Sequence, residues 1–548
     1  MTRRVCLPLL SLALLSALVP LYFGVPAMGN LLGRDADFAL VSLDLFDAAL
    51  RDGQWWPRWL MGSNDGFGAP TFYTYPPLAY WAGALVRRVT GLGIAEALAL
   101  TVALWRLLFV LTGYLWLRRH VAAPFAWAGA ALAALMPYPN LFNPINRFAY
   151  SEMAAASLLP LLLLAIERAA EGRRFRGIPA LALAYAALAL TNLPACTLAA
   201  HLGPLYAWAY AGKRALLRCI LGGMAGAGLA ACFLVPAFGL LGATNPPGLF
   251  DPSWHDTLMF YAPLGAERHL RIFRLLSWGS AAFPFLVGLW LWRLRGSAGW
   301  RHPGLPRAAL VLLLSAFALT TVVTLPLWLT MPQLTATEFP WRSATFLSLA
   351  VAALAALALP ACLASGRILA LGLACAALPY VFLAGLAQFG EPSWPRFLPS
   401  SQRLAHAHAS PSAYSVEHVP RAAVAAGWAK LAAGGRMAAA PYAPPPLPPG
   451  AVRIPTGFRI PVADAPFVLP QFYFPSWAAW DAAGPIPVRA SPEGFVEVLV
   501  NRPVTDLHVE IVVTDWERLG WALTLLTGAG LLVGTLGWRG ATFGAVRA

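Results

Sequence analysis

Charge is what this sequence has least of. Only 11% of its 548 residues are Asp, Glu, Lys or Arg, where soluble chains carry about 25%, and the mean hydropathy is +0.63. That excludes an ordinary soluble enzyme, because the surplus apolar side chains must face something other than water. Cysteine is also scarce. Cys6, Cys196, Cys219, Cys232, Cys362 and Cys375 all fall in apolar runs without paired spacing, which supports neither a disulfide framework nor a zinc site. No internal repeat and no Gly-rich phosphate loop is present.

What is there is a series of apolar runs of about 20 residues, each long enough to cross a ~30 Å hydrocarbon core as a helix. We expect twelve spans, near 5–24, 96–117, 122–137, 151–167, 177–194, 196–211, 216–240, 272–292, 308–329, 344–364, 368–388 and 519–537. The formal charge of +15 would in a soluble domain suggest a polyanionic partner. Its placement argues against nucleic acid: with a cytoplasmic N-terminus, the inner segments hold 18 cations against Glu167 and Glu171 alone, which is the positive-inside bias of a bacterial inner-membrane protein. Both termini are then cytoplasmic and the large loops exoplasmic.

Two segments need a decision. Residues 76–90 end in Arg87-Arg88, and counting them as a span would reverse every later segment, so they are read as a helix lying on the outer membrane surface. Arg3 and Arg4 before the first apolar run also suit a signal peptide, but no small-x-small cleavage site follows. An uncleaved anchor is the expectation.

Residues 1–388 form a transmembrane unit with a long exoplasmic first loop, 25–95. Residues 389–450 are an Ala- and Pro-rich connector with one or two surface helices, ending in a stiff polyproline stretch at 441–450. From Ile454 to Val513 the apolar period changes to two between Pro, Gly and Asp breaks, as antiparallel strands require, so 451–518 should be a small β-sandwich. Residues 519–548 supply the last helix and a tail. The fold class is an all-α polytopic membrane protein of about twelve helices, with an exoplasmic β-sandwich inserted before the last.

The first loop begins Gly33-Arg-Asp35-Ala-Asp37. Carboxylates spaced i, i+2 can share a divalent cation or divide binding and base roles; solvated loop acids are the plain alternative. The loop continues Asp52-Gly-Gln-Trp-Trp-Pro-Arg58-Trp, Gly66-Phe-Gly68-Ala-Pro70 and Tyr75-Pro-Pro-Leu-Ala-Tyr-Trp81. Interfacial anchoring accounts for many of these aromatics, though not for their order. That order resembles the first exoplasmic loop of the GT-C superfamily, integral-membrane glycosyltransferases that use polyprenyl-phosphate sugars. More narrowly, the chain is similar to a bacterial membrane family labelled "6-pyruvoyl-tetrahydropterin synthase-related", YfhO-like in style, although it has no histidine zinc site for pterin chemistry. The resemblance extends to Asn146-Arg147-Phe-Ala-Tyr-Ser-Glu152, Leu190-Thr-Asn192-Leu-Pro194, Phe339-Pro-Trp-Arg342 and Tyr473-Phe-Pro-Ser-Trp477. Where a His is expected shortly after the Asp-x-Asp, this chain has Ala39.

The resemblance implies transfer of a sugar from a polyprenyl-phosphate donor to an envelope glycan, lipid or protein, with inversion. Arg147, Arg342 and Arg58 would hold the departing phosphate, since a guanidinium fork takes two of its oxygens. Asp35, Asp37 and Glu152 are the catalytic carboxylates, and Tyr75, Trp81, Asn192 and Glu338 line the groove. Mg or Mn bridging Asp35 and Asp37 to phosphate suits hard oxygen ligands, and the resemblance does not require it. The plainer readings are that Glu152 pairs locally with Arg147, that Arg342 anchors a helix to headgroups, and that Arg106 snorkels. Asp251, His255 and Asp256 read as solvated loop residues, and His406, His408 and His418 as surface ones. Two rivals stand beside the enzyme. A lipid or polysaccharide transporter predicts charges deep in several spans, and an envelope scaffold predicts no loss when Asp37 becomes Asn.

Overall fold

The computed structural model describes residues 35–172, 177–245, 254–261, 268–295, 303–364, 400–410, 416–428 and 443–544. The first and eleventh expected spans, 5–24 and 368–388, and Asp251 lie outside the described residues. Ala- and Leu-rich runs favour helix, which also satisfies every backbone polar group internally. The longer helices are α1 (Ala36–Arg51), α2 (Leu78–Thr90), α3 (Ile94–Leu117), α4 (Ala123–Leu135), α5 (Tyr150–Glu171), α6 (Ile178–Thr191), α7 (Leu193–Ala211), α8 (Lys213–Leu229), α9 (Ala231–Gly239), α10 (Arg268–Leu294), α11 (Gly304–Ala318), α12 (Ala344–Ala364), α13 (Ser400–His408) and α14 (Asp515–Gly544).

Three stretches are long and apolar enough to cross a membrane: Ile94–Leu117, Tyr150–Glu171 and Pro340–Ala361. A fourth is added if α8 and α9, bent by 74°, count as one broken span. By that measure the described residues supply three or four of the twelve expected spans, with α4, α6 and α11 apolar but shorter.

The helices α3 and α5 run parallel. Trp105 packs on Tyr150 with ring centroids 4.6 Å apart, the Thr112 hydroxyl donates to Ser157 O at 2.9 Å, and Trp116 Nε1 donates to Glu167 at 2.8 Å. Glu167 is fully buried and also accepts from the Tyr206 hydroxyl at 2.6 Å. A carboxylate at that depth persists only with such partners. Beside this pair α12 is enclosed on every side, and α4 reaches it at Gly129, where a Cβ would stand 2.4 Å from Ala352 O.

The helix α2 occupies the segment read as interfacial, and its two arginines are already answered. The buried Asp47 of α1 takes Arg87, Arg88 and Arg51 together.

The β region comprises β1 (Val452–Ile454), β2 (Gly457–Ala463), β3 (Phe467–Phe472), β4 (Trp477–Asp481), β5 (Gly484–Ile486), β6 (Val488–Ala490), β7 (Phe495–Val498) and β8 (Val504–Ile511). One antiparallel sheet runs β1-β2-β8-β4-β5 and the other β3-β7-β6. Alternate residues of both, among them Phe458, Leu507, Leu469 and Val496, enter a single core. That core is completed from outside the strands. Phe67 of the first loop packs on Trp428, Phe472 and Phe495, and its carbonyl accepts from Phe472 N at 2.7 Å. Gly66 and Gly68 hold Phe67 there, with φ of +93° and +83°, and a Cβ on Gly68 would lie 2.5 Å from Gln471 and Trp59.

The connector departs from its expected surface character. Arg403 of α13 is 1% exposed, and Trp428 is fully buried in the β core. The helix α13 packs on α1 and α3, with Ala407 in their core, while Val419, Ala423 and Trp428 enter the core of the β region.

Candidate active site

The site is built on a break in the helical pattern. Pro137, Pro139 and Pro144 lack the N–H that an α-helix needs, and Tyr138–Arg147 winds as a wider π-helical turn. Pro139 can give nothing to Ala134 O, and Arg106 reaches in instead: one of its terminal nitrogens donates to Pro139 O at 2.5 Å, the other to Ala134 O at 3.4 Å and to the Asn140 side chain. Arg106 therefore braces the turn and does not snorkel. At Phe148 the chain takes a left-handed conformation, φ +57°, which reverses it and sets Arg147 beside the first residues of α5. A second left-handed residue, Glu338 at φ +61°, precedes Arg342. Strained backbone of this kind clusters at functional sites.

Arg147 and Arg342 meet at Glu152. The Arg147 guanidinium lies 3.3 Å from one Glu152 oxygen and Arg342 Nε 3.3 Å from the same atom, while the Tyr138 hydroxyl donates to the other. Both guanidinium groups also face the ring of Phe339, at 5.1 and 5.2 Å, a favourable cation–π contact. Arg147 continues to Asp35, whose carboxylate lies 3.5 Å away, and Asp35 N donates to Arg147 O at 2.8 Å. Arg342 continues to Glu338 at 3.6 Å and donates to Thr337 O at 2.6 Å.

Asp35, Arg147, Glu338, Phe339 and Arg342 line a cavity of about 440 Å³, walled further by Tyr75, Asn192 and His418. Its carboxylates differ in access. Glu152 is 5% exposed and sealed beneath the arginines, whereas the Asp35 side chain is 44% exposed and faces the open space. Burial alone would lower the Arg147 guanidinium, but Asp35, Glu152 and their neighbours hold it above its ordinary value. Burial raises Glu338, with Glu417 and Asp35 adding to the shift against the two arginines. Burial likewise pushes the Tyr138 hydroxyl up, Glu152 reinforcing it, and brings His418 down to about 4.

The sequence-selected residues divide. Asp35, Arg147, Arg342, Tyr75, Asn192 and Glu338 converge on the cavity, and Glu152 lies just behind its wall. Asn192 owes its position to a second task, since its side-chain oxygen caps α7 at Ala195 N, 2.9 Å away. Asp37 points elsewhere, held by Arg403 at 2.6 Å. As arranged, then, the Asp35 and Asp37 carboxylates are taken by different arginines and do not make one shared cation site. Among the described residues no group of three or more His, Cys, Asp or Glu is placed to hold a metal ion. Trp81 packs on Phe46, outside the cavity lining. Arg58 is in another cavity, 3.2 Å from Glu517.

Sequence reasoning missed Glu417 and misplaced His418, which is 4% exposed and stacks on Phe38 with centroids 5.6 Å apart. A polar His in an Ala-rich stretch carries no signal of burial; only the docking of the connector supplies it. His408 does stay near the surface, 3.4 Å from Asp44, and His406 is exposed. His255 and Asp256 are 3.6 Å apart and partly exposed, apart from the cavity.

No family model matches the chain, and no curated protein does. Two solved structures show a partial similarity to it. A crystal structure of ArnT from Cupriavidus metallidurans bound to undecaprenyl phosphate is 19% identical, with a TM-score of 0.41 over 74% of this chain and 68% of that one. The mycobacterial arabinofuranosyltransferase AftD is 16% identical, with a TM-score of 0.37 over 76% of this chain and 27% of that one. Both overlaps are loose.

Proposed function

We propose that this chain is an integral-membrane glycosyltransferase of the GT-C type, moving a sugar from a polyprenyl-phosphate donor to a cell-envelope acceptor on the outer face of the cytoplasmic membrane. The observation that carries the reading is the sharing of Glu152 by Arg147 and Arg342 at the wall of a cavity whose accessible carboxylate is Asp35. Two like charges held this close repel each other, and one buried carboxylate between them keeps both forks aimed at a common point. A phosphate there is met by preorganised donors that need not reorient as its charge grows.

The acceptor hydroxyl oxygen attacks the anomeric carbon from the face opposite the phosphate. The bond from that carbon to the phosphate oxygen breaks, its electrons leave on the phosphate, and Arg147 and Arg342 receive the added negative charge. The hydroxyl proton passes to Asp35, and the anomeric configuration inverts. Glu152 is a positioning residue, since it touches the arginines rather than the reacting atoms. The arginines meet the phosphate charge in this scheme, so Mg or Mn enters no step.

In this reading the chain is kin to pterin-synthase-related and YfhO-like membrane proteins and crosses the inner membrane twelve times, with both termini cytoplasmic. Mass spectrometry of lipid-linked sugars tests the reading. In a strain lacking the protein and complemented with Asp35→Asn at normal expression, a polyprenyl-phosphate sugar accumulates; a lipid profile identical to wild type overturns transfer and leaves the scaffold.

A further inference from the structure

The last turns of α1 and α2 gather more positive charge than the protein neutralises. Asp47, buried on α1, meets three guanidinium groups at once. Arg87 donates to one of its carboxylate oxygens, Arg51 Nε stands 3.3 Å from that same oxygen, and Arg88 Nε donates to the other at 3.2 Å. Among the described residues no other carboxylate comes within 4 Å of these arginines. Three cations on one anion leave a surplus of two, and that surplus faces outward. The Arg51 and Arg88 side chains are 57% and 44% exposed, and their terminal nitrogens make no hydrogen bond to the described residues.

The cluster stands at the edge of the hydrocarbon. The helices α3 and α5 are both long and apolar enough to cross a membrane, and α2 rests against the ends at which they begin. The hydroxyl of Tyr150, the first residue of α5, donates to Ala79 O at 3.1 Å. Gly91, left-handed at φ +70°, turns the chain, so that Gly91–Gly93 alone separates α2 from Ile94 of α3. Beside the arginines α2 shows an apolar stripe: Leu78, Leu85 and Val89, spaced i, i+7 and i+11 and so on one face, are all exposed. A helix with such a stripe and a basic flank lies in the membrane plane, its apolar side among acyl chains and its cations at headgroup depth. What meets cations at that depth is phosphate, and a guanidinium fork takes two of its oxygens. The surplus charge also selects among lipids, because the ammonium of a zwitterionic headgroup cancels its own phosphate.

We propose that Arg51, Arg87 and Arg88 hold the headgroup of an anionic phospholipid, whose acyl chains lie along Leu78, Leu85 and Val89. The main cavity takes Asp35 and Tyr80 from the opposite ends of the same two helices, so the lipid site stands whether or not that cavity transfers a sugar.

The test titrates the full chain, purified in detergent and stripped of lipid, with dioleoyl-phosphatidylglycerol and with dioleoyl-phosphatidylcholine, and counts bound lipids by native mass spectrometry. The first phosphatidylglycerol is expected to bind about tenfold more tightly than the first phosphatidylcholine, by a margin that shrinks as salt rises. The Arg51→Gln, Arg88→Gln double variant, changed only at exposed positions and keeping Arg87 on Asp47, loses that margin while melting within a few degrees of wild type. The Arg51→Lys, Arg88→Lys protein, which keeps the charge, retains most of it. Arg342→Gln retains all of it, which separates this surface from the phosphate position of the main cavity. If wild type does not prefer phosphatidylglycerol, or if the Gln double variant still does, the proposal fails. It fails too if Arg342→Gln alone abolishes the preference, since the anion then sits in the main cavity.

Discussion

Asp35 and Arg147, more than a hundred residues apart in the chain, are joined twice: the Asp35 amide donates to the Arg147 carbonyl at 2.8 Å, and the guanidinium stands 3.5 Å from the Asp35 carboxylate. The backbone bond fixes the spacing of the two residues whatever the side chains do. Asp35→Asn should therefore fold as wild type and lose the base, slowing transfer by about 100- to 10,000-fold. Turnover of labelled lipid-linked sugar in membranes, beside a melting curve, checks both halves.

Glu152→Gln should behave in the opposite way. It removes the counter-charge from two buried arginines, and breaking a buried pair typically costs about 3–5 kcal/mol. Reduced thermal stability of the purified protein is the expected result, and Glu152→Gln combined with Arg342→Met should recover part of it.

The Arg403–Asp37 pair, 2.6 Å apart, ties α13 to α1 outside the transfer cavity. Arg403→Met removes this partner from Asp37, which is 8% exposed, and should loosen α13 from α1. Limited proteolysis should cut the connector faster in this variant, while each intact molecule keeps normal transfer.

Gly68→Ala should loosen the β region from the first loop. At φ +83°, with a Cβ 2.5 Å from Gln471 and Trp59, the change combines about 1–2 kcal/mol of left-handed backbone strain with about 1–3 kcal/mol of overpacking. Hydrogen exchange should rise at Phe472, whose amide bonds to Phe67 O.

His418 gives the protein an acid-side sensitivity. Burial lowers it to about 4 in the fold, against about 6.5 in an unfolded chain. The unfolded state then takes up its proton first, so the contribution of His418 is present in full above pH 6.5 and is lost progressively as pH falls toward 4. Replacing His418 by Phe should flatten the dependence of the melting temperature over that window.

Much of the architecture could be read from pattern. Apolar runs marked α3, α5 and the span ending in α12, and a change of period marked β2, β7 and β8, because each signal is local. Arg147 and Arg342 were also within reach, since an arginine at a helix entrance is conspicuous in an apolar chain. The partners were not. Nothing near Arg58 points to Glu517, nor near Asp37 to Arg403, because each pair is made only when the connector and the last helix dock. His418 was misjudged for the same reason: composition describes a residue's neighbours in sequence, while burial depends on its neighbours in space.

Binding of a polyprenyl monophosphate to the purified protein, followed by native mass spectrometry, tests the central claim most directly. Arg342→Gln should weaken binding tenfold or more, and Asp35→Asn, which removes an anion beside the phosphate position, should leave it equal or tighter. Unchanged binding in Arg342→Gln, or loss of binding in Asp35→Asn, would contradict the assignment of phosphate to the arginines and of the proton to the carboxylate.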